Sequence, residues 1–218
     1  MSIADRLASV RSRIDAAAKR AGRDPASITL VAVSKTKPAT DVAEAFAAGQ
    51  RIFGENYAQE LAEKGGTLGS LGIEWHFIGR LQTNKAKYVA RIATMVHSVD
   101  SDKLADELGK RATRPLDVLI EVNVGGEASK GGVEPSALAP LVAMISSIPR
   151  LRLRGLMSIP PTGDPRQFHR RLREVRDAHG GATSLPVLSM GMTDDLEVAI
   201  EEGATIVRIG TAIFGARA

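Results

Sequence analysis

Residues 28–49, ITLVAVSKTKPATDVAEAFAAG, contain a strand, a loop and a helix in that order. Residues 28–33 form a nearly continuous apolar run, which is typical of a strand buried on both faces of a parallel sheet. A helical pattern follows over residues 40–48, and Gly49 ends it. Because parallel strands need a crossover connection of this kind, the segment predicts an α/β protein built from strand–helix units.

The same alternation continues along the rest of the chain. Further strands are predicted at residues 51–54, 75–78, 95–99, 116–124, 151–157, 186–189 and 205–209, with amphipathic helices between them. The chain therefore holds eight strand–helix units, which implies parallel strands joined by right-handed crossovers. An open doubly wound sheet and a closed (β/α)8 barrel of the TIM type both satisfy this pattern. Eight units in 218 residues favour the compact barrel.

Residues 1–218 are predicted to form a single domain, since no composition break or low-complexity linker divides them. An extra N-terminal helix is expected over residues 2–21, with the barrel over residues 28–215. The helix carries an apolar stripe and should cover the outside or the bottom of the barrel. The residues of that stripe are Ile3, Leu7, Val10, Ile14, Ala17 and Ala18.

Composition excludes several classes of site and partner. The chain has no cysteine, which rules out disulfides, thiolate metal sites and cysteine nucleophiles. Its net charge is +4, and its basic and acidic residues are interspersed along the chain instead of forming one basic stripe. Its few aromatic residues offer little surface for base stacking. No apolar run approaches the ~20 residues of a membrane span, and the N-terminus lacks the order of a signal peptide. We therefore expect a cytoplasmic protein that binds no nucleic acid, membrane or metal.

Lys35 is the most informative polar residue, because it lies at the start of the loop that follows the first strand. In a barrel, the active site lies on the loops that follow the strands. An amine at the end of a buried strand loses water, which favours its neutral form, and a neutral amine forms a Schiff base with a carbonyl compound. The alternative is that Lys35 simply extends its ammonium into solvent.

Two glycine-bearing segments follow the last two strands, where barrels most often bind phosphate. They are residues 189–193, Ser-Met-Gly-Met-Thr, and the pair Gly210 and Thr211. Glycines let backbone N–H groups approach an anion, although glycines of this kind also occur in simple turns. Together with Lys35, they point to an aldehyde cofactor that carries a phosphate, which fits pyridoxal 5'-phosphate. Arg208 could donate to the pyridine nitrogen of such a cofactor, or form an ion pair with a glutamate at the barrel rim.

Other polar residues have structural interpretations. His76 and His97 are expected to hydrogen-bond inside the barrel from opposite strands. Asp194 and Asp195 are expected to cap the following helix. Tyr88 is expected on a packing face of its helix.

Several motifs resemble the pyridoxal phosphate homeostasis proteins, a family related to the barrel domain of alanine racemase. They occur in order over nearly the whole chain, at residues 33–38 (VSKTKP), 53–57 (FGENY), 75–79 (WHFIG), 81–85 (LQTNK), 154–157 (RGLM), 189–195 (SMGMTDD) and 207–215 (VRIGTAIFG). The resemblance implies a fold-type III barrel without the C-terminal β domain of the racemases. It also implies a Schiff base on the lysine that Lys35 matches. The implied cofactor-binding residues are Lys35, Asn56, Ser189, Met192, Arg208, Gly210 and Thr211.

The resemblance further implies a binding protein for pyridoxal 5'-phosphate without firm catalytic turnover, which balances the cell's supply of this vitamin B6 cofactor. Its expected state is a monomer that hands the cofactor to apoenzymes. A small racemase-like enzyme remains an alternative, in which Tyr57 would be the second base. A barrel enzyme acting on phosphorylated sugars, without pyridoxal chemistry, is a third hypothesis.

Overall fold

The computed structural model describes residues 1–127 and 131–216, and these form a closed barrel of eight parallel strands. The strand order follows the chain, so every strand pairs with its neighbours in sequence and β1 pairs with β8. This confirms the barrel and excludes the open doubly wound sheet. The strands are β1 (Thr29–Val33), β2 (Ile52–Glu55), β3 (Glu74–Phe77), β4 (Met95–Val99), β5 (Leu116–Glu121), β6 (Leu151–Met157), β7 (Val187–Ser189) and β8 (Ile206–Ile209).

Helices surround the barrel, as the alternating pattern predicts. They are α1 (Ile3–Arg20), α2 (Ala39–Ala47), α3 (Ala58–Thr67), α4 (Ala86–Ile92), α5 (Asp102–Arg111), α6 (Leu138–Ser146), α7 (Pro165–Ala178), α8 (Gly181–Ser184), α9 (Leu196–Glu201) and α10 (Thr211–Phe214). Among the described residues, no helix combines the length and the apolar character needed to cross a membrane.

Helix α1 packs on the outside of the barrel, against α2, α9 and α10. Ser2 and Asp5 form a capping box at its start, which fixes where it begins. All six residues of the predicted apolar stripe are buried. Because the helix after β8 has only four residues, α1 completes the outer layer there. Of the two positions predicted for α1, the outside is therefore confirmed.

Two details of the prediction are wrong. The predicted strand at residues 116–124 ends at Glu121, because the chain then turns and the Asn123 backbone N–H donates to the Val133 carbonyl oxygen instead of to a neighbouring strand of the barrel. Tyr88 is 43% exposed, although its position in α4 suggested packing. The buried face of α4 consists of Ala86, Val89 and Ala90, so Tyr88 lies on another face of the helix. Its ring centroid is 4.9 Å from the ammonium of Lys87.

Candidate functional site

A cavity of about 250 Å3 opens at the carboxyl ends of β1, β2, β7 and β8. Six of the seven predicted cofactor-binding residues line it, although they are widely separated in sequence. These are Lys35, Asn56, Met192, Arg208, Gly210 and Thr211. Thr193 and Asp194 add polar atoms, and Val33, Ile78 and Ile159 form apolar walls. The cavity thus combines cations, a carboxylate, an amide and hydroxyls with a hydrophobic surface.

Gly210 lets the end of β8 lie against the end of β1. A Cβ atom at this position would come within 3.2 Å of the carbonyl oxygen of Val33. Because Gly210 has no side chain, the two strand ends stay close together, and Thr211 and Lys35 line the same cavity.

Arg208 is 4% exposed and is held by two hydrogen bonds. Its Nη1 donates to Ser189 Oγ at 2.8 Å, and its Nη2 donates to the carbonyl oxygen of Ser158 at 3.0 Å. Burial lowers the pKa of Arg208 to about 10, while the charges of Glu121 and Asp195 act in the opposite direction. The guanidinium therefore stays protonated at neutral pH. Within residues 1–127 and 131–216, it forms no ion pair with a glutamate, which was the alternative.

Ser189 does not line the cavity, although it was predicted to bind the cofactor. Its side chain is fully buried, and its hydroxyl lies 2.9 Å from His97 Nδ1 as well as within reach of Arg208. The other ring nitrogen of His97 lies 3.0 Å from His76 Nδ1. A hydrogen-bonded chain thus runs from Arg208 into the barrel interior. The predicted bonding of the two histidines is confirmed, but they lie on adjacent strands, β3 and β4, instead of opposite ones.

Burial keeps both histidines neutral. It lowers the pKa of His76 to about 4. It also lowers the pKa of His97 well below its ordinary value, and the neighbouring His76 and the charged Arg208 disfavour a proton on His97 further. Arg208 therefore has a neutral hydrogen-bond chain behind it at neutral pH.

The loop after β7 is fixed from several sides. Asp195 Oδ1 accepts a hydrogen bond from the Met192 backbone N–H at 2.6 Å, and its Oδ2 lies 2.9 Å from His169 Nε2. Burial alone would raise the pKa of Asp195, but these hydrogen bonds outweigh it and the pKa is lowered. Asp195 occupies the N-cap position of α9, as predicted, but its side chain makes no capping hydrogen bond, because its carboxylate is used by the loop that precedes the helix.

The N-terminal helix also reaches this loop. Arg13 Nη2 donates to the Thr193 carbonyl oxygen at 2.9 Å, while two nitrogens of the same guanidinium pair with Glu197. Sequence reasoning missed Arg13, His169 and Ser158 as supports of the site. No spacing in the sequence indicates them, because they lie on α1, on α7 and after β6.

Asn56 carries an unsatisfied polar atom next to the cavity. Its Oδ1 is buried and has no hydrogen-bond partner among the described residues. Gly79 packs directly on the Asn56 backbone, where a Cβ atom would lie 2.3 Å from the carbonyl oxygen. Asn56 also lines a second cavity of about 510 Å3, together with Tyr57, Arg80 and Lys85.

Comparison with known proteins agrees with this geometry. A family profile described as "Alanine racemase, N-terminal domain" matches residues 6–218. The chain is 52% identical to the pyridoxal phosphate homeostasis protein of Pseudomonas aeruginosa, over 99% of this chain and 96% of that one. It is 49% identical to the protein of the same name from Aquifex aeolicus, over 100% of this chain and 99% of that one.

Solved structures extend the comparison. PipY of Synechococcus elongatus with PLP bound is 36% identical, with a TM-score of 0.83 over 98% of this chain and 100% of that chain. Alanine racemase from Corynebacterium glutamicum is 17% identical, with a TM-score of 0.70, and the match covers 99% of this chain but 63% of that one, so it shows the fold alone. With its fold, its cavity and these relatives taken together, the chain belongs to the alanine racemase N-terminal domain family and, within it, to the pyridoxal phosphate homeostasis proteins.

Proposed function

We propose that this chain binds pyridoxal 5'-phosphate as a Schiff base on Lys35 and serves as a cytoplasmic carrier of the cofactor. The observation that carries the proposal is the meeting of Lys35 and the buried, protonated Arg208 in one cavity. PipY, a relative 36% identical to this chain, has been solved with PLP bound, which supports the same ligand here. We further propose that the carrier is a monomer and that apoenzymes receive the cofactor from it.

The residues of the cavity fit this ligand. A buried oxygen without a partner costs about 1–3 kcal/mol unless a ligand donates to it, and Asn56 Oδ1 is such an atom. Thr193 and Thr211 offer hydroxyls. Gly210 has no side chain to shield the neighbouring backbone N–H groups, so a phosphate can approach them. Val33, Ile78 and Ile159 provide an apolar surface for a flat ring.

Each residue has a distinct role in the proposal. When bound, pyridoxal phosphate supplies an aldehyde that condenses with an amine and a ring that withdraws electrons. Lys35 supplies the amine. Arg208 remains a hydrogen-bond donor and therefore favours an unprotonated ring nitrogen, which makes the ring a weaker electron sink. Ser189 contributes indirectly, because its hydroxyl holds the guanidinium of Arg208 in place.

The exposure of the site favours a carrier over an enzyme. Met192 is 39% exposed and Ile159 is 41% exposed, so the rim of the cavity is open to water. Water weakens the electrostatic interactions on which chemistry at an amino-acid Cα depends. An open site suits exchange of the cofactor with other proteins.

A racemase-like activity is the second candidate, and the larger cavity beside Asn56 favours it. This cavity offers room for an amino acid, and Tyr57 on its wall is 50% exposed. Incubation with alanine or serine in heavy water distinguishes the two candidates. A carrier leaves the Cα proton in place, whereas exchange at enzymatic rates would support the enzyme.

The binding proposal is tested by absorbance and mass spectrometry. We expect the protein loaded with pyridoxal phosphate to be yellow, to be bleached by borohydride, and to carry the reduced adduct on the peptide that contains Lys35. The Lys35→Ala variant should form no adduct, because it lacks the amine. Lys37→Ala, which changes the other lysine of the same loop, is the matched control and should retain it. A colourless parent protein that binds no added cofactor would instead favour a barrel enzyme for phosphorylated sugars.

A further inference from the structure

A buried ammonium lies next to the turn that carries Lys35. Lys64, on α3, is 5% exposed, and its Nζ donates three hydrogen bonds. The acceptors are the Ser34 carbonyl oxygen at 2.7 Å, Glu55 Oε1 at 2.7 Å and Glu60 Oε2 at 2.9 Å. Nothing in the binding role derived above uses this lysine.

Glu60 continues the network to the other side of Lys35. The same Oε2 atom accepts a hydrogen bond from the Thr36 backbone N–H at 2.8 Å. The peptide groups before and after Lys35 are therefore both held, one by Lys64 directly and one through Glu60.

The turn needs such support because its backbone is strained. Thr36 has a φ of +63°, and it is the one non-glycine residue with positive φ in residues 1–127 and 131–216. A β-branched residue in this conformation costs about 1–3 kcal/mol, and it persists where the surroundings over-determine it. A strained residue directly after the reactive lysine is typical of a position whose geometry matters for function.

The network requires burying charged groups, and the cost of removing them from water offsets much of what their hydrogen bonds contribute to stability. Glu55 is fully buried, and its Oε1 also accepts a hydrogen bond from Ser34 Oγ at 2.7 Å. Its Oε2 has no hydrogen-bond partner among the described residues, and burial raises the pKa of this carboxyl. Buried ion pairs of this kind often contribute no more stability than apolar residues of equal volume. A role in holding one local conformation accounts for the network better.

We infer that Lys64 is a positioning residue for Lys35: through Ser34, Glu55 and Glu60 it fixes the turn so that the Lys35 amine is presented to the cavity in one orientation. The inference rests on the proposed function, since it assumes that the Lys35 amine is what reacts there. Lys64 itself touches no ligand in this account.

Stopped-flow absorbance on the protein mixed with pyridoxal phosphate tests this role. The rate of adduct formation at rising cofactor concentration yields a half-saturation concentration and a limiting rate. The half-saturation concentration reports on binding by the anion-binding loops, and the limiting rate reports on how the amine is presented. Misplacement of a reacting group by about 1 Å costs up to ~100-fold, so in Lys64→Met we expect a limiting rate lower by about tenfold and a half-saturation concentration within about twofold of the parent.

The matched control is Lys110→Met. Lys110 also pairs with an acidic residue one turn away on its helix, but it is exposed and lies on α5. This variant should keep the parent's limiting rate. An unchanged limiting rate in Lys64→Met overturns the positioning role while leaving the proposed function intact. A parent protein that forms no adduct overturns both.

Glu60→Ala provides a second variant in case Lys64→Met does not fold. The Glu60 side chain is 27% exposed, so its removal is compatible with folding. We expect a smaller loss in the limiting rate, about threefold, because Lys64 still holds Ser34. In the cofactor-free protein, the Thr36 amide proton should also exchange with solvent faster than in the parent. Unchanged exchange together with an unchanged limiting rate would overturn the inference.

Discussion

Arg208 shows how single residues set the chemistry of this site. Its charge is buried, yet it faces two neutral acceptors, Ser189 and Ser158, instead of a carboxylate. Behind Ser189, the two histidines remain neutral because burial opposes their protonation. A second positive charge so close to the guanidinium would repel it, so the neutral pair is a condition for holding Arg208 at the cavity.

The histidine pair predicts a specific pH dependence of stability. An unfolded histidine titrates near 6.5, whereas folded His76 titrates near 4, so between these values the unfolded chain binds the extra proton. The free energy of unfolding should therefore fall as the pH falls from 6.5 to 4, by about 3 kcal/mol from His76, since one pKa unit is worth about 1.4 kcal/mol. Urea denaturation at several pH values measures this change.

The comparison that isolates the effect is His76→Gln against the parent. Burial raises the pKa of Glu55 and Glu121, which stabilises the fold toward acid and partly masks the histidines in the parent. We expect the stability of His76→Gln to decline less steeply over this pH range. If stability changes with pH equally steeply in the two proteins, His76 binds as many protons in the folded protein as in the unfolded chain, and the prediction is wrong.

At the scale of elements, the loop after β7 depends on helices distant in sequence. His169 on α7 orients Asp195, which holds the Met192 backbone N–H, and Arg13 on α1 holds the Thr193 carbonyl oxygen. Helix α1 precedes the barrel in sequence, but it is part of the framework of the site. Its support of the loop should therefore affect ligand binding as well as folding.

Arg13→Met tests this support. We expect a loss of about 1 kcal/mol in the free energy of unfolding, since the lost hydrogen bonds are charged but partly exposed. The affinity for pyridoxal phosphate should fall about fivefold, because the Thr193 carbonyl loses its donor. Fluorescence titration and urea denaturation measure the two effects. Lys19→Met changes an exposed residue of the same helix and should alter neither. A stability loss without an affinity loss would restrict Arg13 to anchoring the helix.

At the scale of the whole molecule, closure of the barrel depends on close backbone contact. Gly155 on β6 pairs with Val187 on β7, and a Cβ atom at Gly155 would lie 1.9 Å from the Val187 carbonyl oxygen. Backbone on neighbouring strands cannot shift without disturbing the register on both sides. The pairing of the short strand β7 with β6 therefore depends on the absence of a side chain at Gly155.

Two glycine substitutions should have opposite effects. Gly155→Ala is expected to lower the free energy of unfolding by about 3 kcal/mol or more, since the clash is with backbone. Gly66→Ala lies in α3 with no atom within 4 Å of the added carbon, so it should raise the stability by about 0.5–1 kcal/mol. Thermal unfolding of both variants beside the parent measures this. Equal effects would mean that the contact at Gly155 relaxes without cost.

Much of the fold and part of the site could be predicted from the order of residues. The eight strands, the buried face of α1 and the position of Lys35 after β1 follow from local periodicity, because apolar spacing and strand ends are properties of neighbouring residues. Six of the seven predicted site residues meet in one cavity, since a parallel barrel gathers its strand ends at one face.

The remaining features depend on contacts between distant segments. Ser189 turns into the barrel to hold Arg208, and the carboxylate of Asp195 supports a loop instead of making a capping hydrogen bond to α9. Lys64 and Thr36 come together because α3 packs beside the turn after β1. The sequence by itself determined the strands, the helices and the end of the barrel where the polar loops gather, since these depend on local pattern. Only the tertiary structure decided which buried polar atoms bond to each other, because a buried group takes whichever partner the packing of remote elements brings within reach.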